Sequence, residues 1–288
     1  MSEESSSCQA NKLLMERTIV VGGMLYVQIQ INVFMKKIFR FVPLMAAMAA
    51  FTACSDDDNN TAENFTPSPA TDITAQIDPV FAQEMQEKGY IKNAERILYG
   101  DVKDLKIVDV GGNPLTGGDI TSLKGVEFLT ELERLTCNFN KLTEIDLTHN
   151  PDLEELNCDA NQLTSLDLNG NPDLEILKCA RNAIATLDLR SNPDAEFVMC
   201  GENRLTSVDV SRCPDLVQLQ CENNLLSSLD VSANRKLNLL NFEGNPGDGT
   251  TFAVKAWFDE ASVPANFTSA PWQYDGATVT PVYSNAVR

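Results

Sequence analysis

Five cysteines stand 21 residues apart, at Cys137, Cys158, Cys179, Cys200 and Cys221, and Phe242 takes the next slot. A fixed period of this length constrains the fold strongly, because a unit so short cannot cover its own apolar face and must stack on its neighbours. Around each slot the same frame returns, as in Leu153-x-x-Leu156-x-Cys158-x-x-Asn161-x-Leu163-Thr164-x-Leu166-Asp167-Leu168-x-x-Asn171-Pro172-Asp173. Within it, Glu155-Leu156-Asn157-Cys158-Asp159 alternates with period two, which sends Leu156 and Cys158 inward and the other three outward from a short strand. Parallel strands ~4.8 Å apart then line one face of an elongated molecule, roughly 30 Å long for seven units.

The spacing Leu-x-x-Leu-x-(Leu/Cys)-x-x-Asn-x-Leu resembles the leucine-rich repeat, in the short bacterial form of internalin-like surface proteins. Six regular repeats run from Leu132 to near Asn245. A longer, irregular unit precedes them: it begins at Leu105, carries Val108, Val110 and Asn113, and then reaches Ile120, Leu123, Val126 and Leu129. The resemblance implies an α/β-type repeat solenoid with parallel strands on the concave face and a mostly extended or turn-like convex side. It also implies a small helical N-terminal cap, a hairpin-like C-terminal cap, and protein binding on the concave face.

Three columns follow from the period. Asn140, Asn161, Asn182, Asn203, Asn224 and Asn245 sit where the chain leaves each strand. A buried amide there satisfies both donors and acceptors of the turning backbone. The cysteines admit a metal ladder, disulfides or plain buried thiols. No C-x-x-C spacing or nearby histidine favours zinc, and side chains pointing in parallel into a core are poorly aimed for bridging, so buried, reduced thiols are expected. Cys213 replaces the asparagine found at Asn150, Asn171, Asn192 and Asn234, and a more exposed thiol is expected there. The like-charged column Asp146, Asp167, Asp188, Asp209 and Asp230 is read as local capping of backbone amides, with calcium the alternative.

The chain ends suggest a location. Residues 1–34 read poorly as structure and are taken as an upstream extension of the true start at Met35. From there Lys36, Lys37 and Arg40 precede the apolar run Phe41 to Phe51, and small residues lead to Cys54. Residues 35–53 thus resemble a bacterial lipoprotein signal, with Cys54 as the lipidated residue. The polar, acidic stretch at 54–71 reads as a tether, 72–104 as the N-terminal cap, 105–246 as the repeats and 247–288 as the C-terminal cap. The expected localisation is a lipid-anchored place on the bacterial outer membrane, facing outward.

Formal net charge is −19, and with five basic and three acidic side chains in residues 1–53 the remainder carries −21, from 17 basic and 38 acidic residues. Such a surface repels phosphate backbones, so nucleic acid is not an expected partner, and any membrane link must be the lipid anchor. No G-x-S-x-G, H-E-x-x-H or phosphate-binding loop occurs, and His149 is the single histidine. No enzyme activity, cofactor or metal is expected.

Both ends of the solenoid need covers. Asp78-Pro79 opens a short helix with Val80, Phe81 and Met85 on one face and Gly89 as its stop. At the other end, Thr251 to Phe258 alternates as a strand and Asp275-Gly276 marks a hairpin. The aromatics Phe252, Trp257, Phe258, Phe267, Trp272 and Tyr274 form a capping core or, alternatively, a sugar-stacking platform for a glycan-uptake accessory. On the strands, Ile176, Phe197 and Met199 fall side by side at positions that alternation sends to solvent. This patch, rimmed by Glu155, Lys178, Glu202 and Gln220, is the expected protein-binding site, the alternative being that the C-terminal cap shields these groups or a small strand rotation tucks them in.

Overall fold

The computed structural model describes residues 67–286. Cys54, which the sequence names as the lipidated residue, lies outside the described residues, as do the expected signal segment and most of the expected tether. Seven three-residue strands form one parallel sheet: β1 (Ile107–Asp109), β2 (Arg134–Thr136), β3 (Glu155–Asn157), β4 (Ile176–Lys178), β5 (Phe197–Met199), β6 (Gln218–Gln220) and β8 (Leu239–Asn241). The central residues pair in register, from Val108 through Leu135, Leu156, Leu177, Val198 and Leu219 to Leu240. All seven are buried in one continuous core with the cysteine column.

The five column cysteines and Cys213 are all free thiols. Desolvation raises the thiol pKa throughout, to about 12 at Cys200. Cys213 corrects the sequence expectation: it is 0% exposed, and burial pushes its pKa up to about 11. The reason is a second buried ladder that the repeat frame contained but its spacing did not reveal. Asn171 Nδ2 donates to Leu147 O at 3.1 Å and Asn150 O at 2.8 Å, and Asn192 repeats the arrangement on Leu168 O and Asn171 O. In that slot Cys213 makes only a 3.7 Å contact to Asn192 O. Cys213→Asn is therefore expected to restore two bonds while burying an amide oxygen without a partner, as Asn171 and Asn192 do, and to raise stability by at most about 1 kcal/mol, read as a higher urea midpoint. A lower midpoint would show that the smaller side chain is required there.

The first asparagine column behaves as expected. Asn161 Nδ2 donates to Cys137 O and Cys158 O, both at 3.1 Å, while its Oδ1 accepts Leu142 N at 3.0 Å. One residue before the ladder asparagines, Phe139, Ala160, Arg181, Glu202 and Asn223 adopt φ between 52° and 55°. This left-handed step turns the chain off each strand, and the ladder bonds hold it there. The Asp column caps its own turns: Oδ1 of Asp146, Asp167, Asp188, Asp209 and Asp230 each accepts the backbone N two residues on at 3.0 Å.

The irregular first unit is longer than the period, as its spacing indicates. Ten residues separate Val110 from Ile120 where five separate Cys137 from Leu142. The excess forms a projecting loop, and Asn113 caps its turn by accepting Leu115 N at 2.8 Å. Asn140 from the next rung supplies the ladder bonds instead, donating to Val110 O at 2.9 Å and accepting Ile120 N at 3.2 Å. Gly118 is required at the base, because a Cβ there would lie 2.2 Å from Asn140 Oδ1.

At the N-terminal end, α1 (Pro79–Glu87) starts at Asp78, whose Oδ1 accepts Val80 N and Phe81 N at 2.9 and 3.1 Å. Gly89 follows at φ 81°. Phe81 and Met85 are buried, but Val80 is 43% exposed, with Ala82 taking its place in the core. One helical step rotates the packed face beyond Val80. Chain contacts start before residue 72, since Tyr99 N and Gly100 N donate to Thr71 O and Pro69 O. A short helix, α2 (Tyr99–Val102), completes this cap.

At the C-terminal end a second sheet runs in the order β10 (Trp272–Tyr274), β11 (Ala277–Asn285), β9 (Thr251–Ala256) and β7 (Ser228–Asp230). Asp275 and Gly276, at φ 47° and 80°, make the expected hairpin between β10 and β11.

Candidate functional site

Registered pairing turns each strand position into a column along the concave side. The residues before and after the buried centre give Arg134, Glu155, Ile176, Phe197, Gln218, Leu239 and Thr136, Asn157, Lys178, Met199, Gln220, Asn241. Ile176 thus stands against Phe197, and Lys178 against Met199. The structure does bring together the residues that the sequence singled out.

Their exposure corrects the expectation. Ile176 is 2% and Phe197 3% exposed, yet neither belongs to the continuous core. Lys178 is buried as well, with Nζ 2.9 Å from Glu155 Oε1. Alternation decides only which way a side chain points. Neighbouring rungs and the inward curve then set large side chains against one another, so leaving the core is not the same as reaching water. Met199, Glu155, Asn157 and Gln220 remain half-buried, as do Arg134, Thr136, Leu239 and Asn241 in the outer rungs.

A charged rim, not anticipated from the sequence, borders the columns where the chain leaves the strands. One residue beyond the cysteines the column reads Asn138, Asp159, Ala180, Gly201, Glu222 and Glu243. Ala180 and Gly201 open a gap between two acids. Asp159 Oδ1 accepts Ala180 N at 2.7 Å, and Glu222 leans over Gly201, where a Cβ would lie 2.5 Å from its Oε1. Arg181 Nε binds Glu202 Oε1 at 3.0 Å between them. The readable signal was the pair of small residues bracketed by acids.

Desolvation dominates this rim. It raises the Asp159 pKa to about 6, against the Ala180 amide bond and the charges of Lys178 and Arg181, and it raises Glu222 as well. Asp159 titrates near 3.8 when unfolded, so folding favours its protonated form. Its contribution is fully present below that value and is lost as pH climbs through about 6. Asp159→Asn is accordingly expected to raise stability at neutral pH by about 1–2 kcal/mol and to flatten the decline between mildly acidic and neutral pH. Thermal melts across that range would show it, and parallel wild-type and variant curves would refute it.

The C-terminal aromatics are spent on one another. Phe242 stacks on Phe252 with centroids 4.7 Å apart and meets Trp272 edge-on at 5.7 Å. Trp257 meets Phe258 edge-on at 5.0 Å. Trp272 Nε1 donates to Asn245 O at 2.9 Å, tying the hairpin to the last ladder rung. Phe252, Phe267 and Trp272 are buried in the cap core, while Trp257, Phe258 and Tyr274 pack against it half-buried. Among the described residues, no group of three or more His, Cys, Asp or Glu side chains is arranged to hold a metal ion.

No protein-family model and no curated protein matches the chain. Among solved structures it is similar to the functional domain of InlJ from Listeria monocytogenes, which includes a cysteine ladder, at 26% identity and a TM-score of 0.53. That match covers 66% of this chain and 53% of the other, so the chain spans about half the length of that neighbour. Two further Listeria monocytogenes structures are an internalin InlF (17% identity, TM-score 0.49, 78% and 79% covered) and an internalin C2 (18%, 0.47, 75% and 100%). The fold is that of a leucine-rich repeat solenoid.

Proposed function

We propose that this leucine-rich repeat protein is a lipid-anchored, non-catalytic scaffold on the bacterial surface that binds a protein partner along its concave face. The supporting observation is the registered seven-strand sheet, which holds two columns of side chains on a rigid backbone at fixed spacing. Rigid presentation lowers the ordering cost of binding. The proposed site comprises Glu155, Met199 and Gln220 as accessible contacts, with Ile176, Phe197 and Lys178 packed beneath them. The anchor is supported by the order of basic, apolar and small residues before Cys54. No helix among the described residues is long and apolar enough to cross a membrane.

The test is affinity capture from cell envelope with the compact unit, residues 64–288, as bait. Met199→Glu combined with Gln220→Lys is expected to reduce capture by about tenfold or more while leaving the unfolding midpoint in place. Undiminished capture would move the site elsewhere. Phe197→Asp is unsuited to the purpose, because a side chain only 3% exposed reports stability first. For the anchor, Cys54→Ala is expected to release the full chain from the membrane fraction, and retention there would refute lipidation at that residue.

A further inference from the structure

Asn169-Gly170 is the only Asn-Gly pair in the sequence. It lies in the turn capped by Asp167, where the other regular rungs carry Thr148-His149, Arg190-Ser191, Ser211-Arg212 and Ser232-Ala233. Asn169 is exposed, and its backbone N is fixed by Asp167 Oδ1 at 3.0 Å. Its side-chain Oδ1 accepts a hydrogen bond from Ser191 Oγ at 2.9 Å. Ser191 occupies the Gly170 position one rung further on, so stacking delivers that hydroxyl. Gly170 has no Cβ to shield its own N, which donates to no acceptor among the described residues.

We propose that Asn169 is a self-modifying site that closes to a cyclic imide with Gly170 and then opens to aspartate or isoaspartate, assisted by the Ser191 hydroxyl. The backbone N of Gly170 gives up its proton to solvent and attacks Cγ of Asn169. The N–Cγ bond forms, the Cγ–Nδ2 bond breaks, and ammonia departs carrying a proton from water. Water then adds to either imide carbonyl, giving aspartate or, at the other, a main chain lengthened by one methylene. Nothing is oxidised or reduced.

Ser191 sits where it assists the slow step. In the tetrahedral intermediate negative charge gathers on Oδ1, the atom that Ser191 already addresses, and a hydrogen bond to a charged oxygen is stronger than one to an amide. Either product adds a negative charge two residues beyond Asp167, in the turn that Asp167 caps. The lengthened product also displaces the chain just ahead of Asn171, whose Nδ2 holds Leu147 O and Asn150 O. The turn is thus a time-dependent mark on the convex side.

The full chain, kept in mildly alkaline buffer and sampled over days, is digested and analysed by mass and by isoaspartate content. Asn169 is expected to convert faster than the exposed Asn223 and Asn238, with both products present. Ser191→Ala is expected to slow it by about fivefold in the folded chain, the worth of one ordinary hydrogen bond, and to have no effect in urea. Asn169→Gln is expected to abolish the signal at that peptide. Conversion no faster than at Asn223 and Asn238 overturns the site, and an unchanged rate in folded Ser191→Ala overturns the assistance.

Discussion

Replacing Asn224 by alanine is expected to cost about 3–5 kcal/mol, a large loss for one side chain in the repeats. Its Oδ1 accepts Leu205 N at 2.9 Å, and its Nδ2 donates to Cys200 O at 3.0 Å and to Cys221 O and Glu222 O at 3.2 Å. The residue is buried, so alanine admits no water to take over. Each orphaned buried group costs about 1–3 kcal/mol, and at least Leu205 N and Cys200 O are left without this partner. Asn224→Asp separates donors from acceptor, because a carboxylate can still accept from Leu205 N but faces the carbonyls with charge. It is expected to be no better than alanine at neutral pH. Urea unfolding reads both, and a loss below about 1 kcal/mol for alanine would show that the ladder bonds are replaceable.

Phe242→Cys is expected to destabilise by about 2–4 kcal/mol, although it restores the cysteine that every preceding regular rung carries. By repeat consensus alone the change should be harmless or helpful. The ring, however, packs on Phe252 at 4.7 Å, Trp272 at 5.7 Å and Tyr283 at 6.2 Å, and it is fully buried. A thiol leaves a cavity facing three aromatic rings, and cavity and lost contacts add. An unchanged melting temperature would show that the cap closes without this plug.

Much of the architecture was legible because it is written in local, repeated chemistry. Asp78, Pro79 and Gly89 marked a helix whose ends need those residues, and Asp275-Gly276 marked a hairpin whose two central residues need positive φ. The aspartate column was recognisable as turn capping because the bond spans only two residues. The candidate site was legible in part: Ile176, Phe197, Met199, Lys178, Glu155 and Gln220 do share adjoining columns. The second asparagine ladder was not, since its bonds reach only residues 21 and 24 positions back, whereas the first also closes on its own turn, as Asn161 does on Cys158 O. Nor was the rim, where the missing side chains of Ala180 and Gly201 shape Asp159 and Glu222 as much as any residue present.

By itself the sequence determined the period, the direction of each strand side chain, the asparagine ladder and the nature of both caps. These follow from spacing along the chain, which covalent geometry converts directly into faces and columns. Only the tertiary structure decided that Ile176 and Phe197 are covered, that Cys213 is buried, that Val80 is exposed and that Asp159 ionises late. Burial and ionisation depend on what neighbouring rungs place around a group, and a one-dimensional repeat specifies its neighbours without specifying how closely they shut out water.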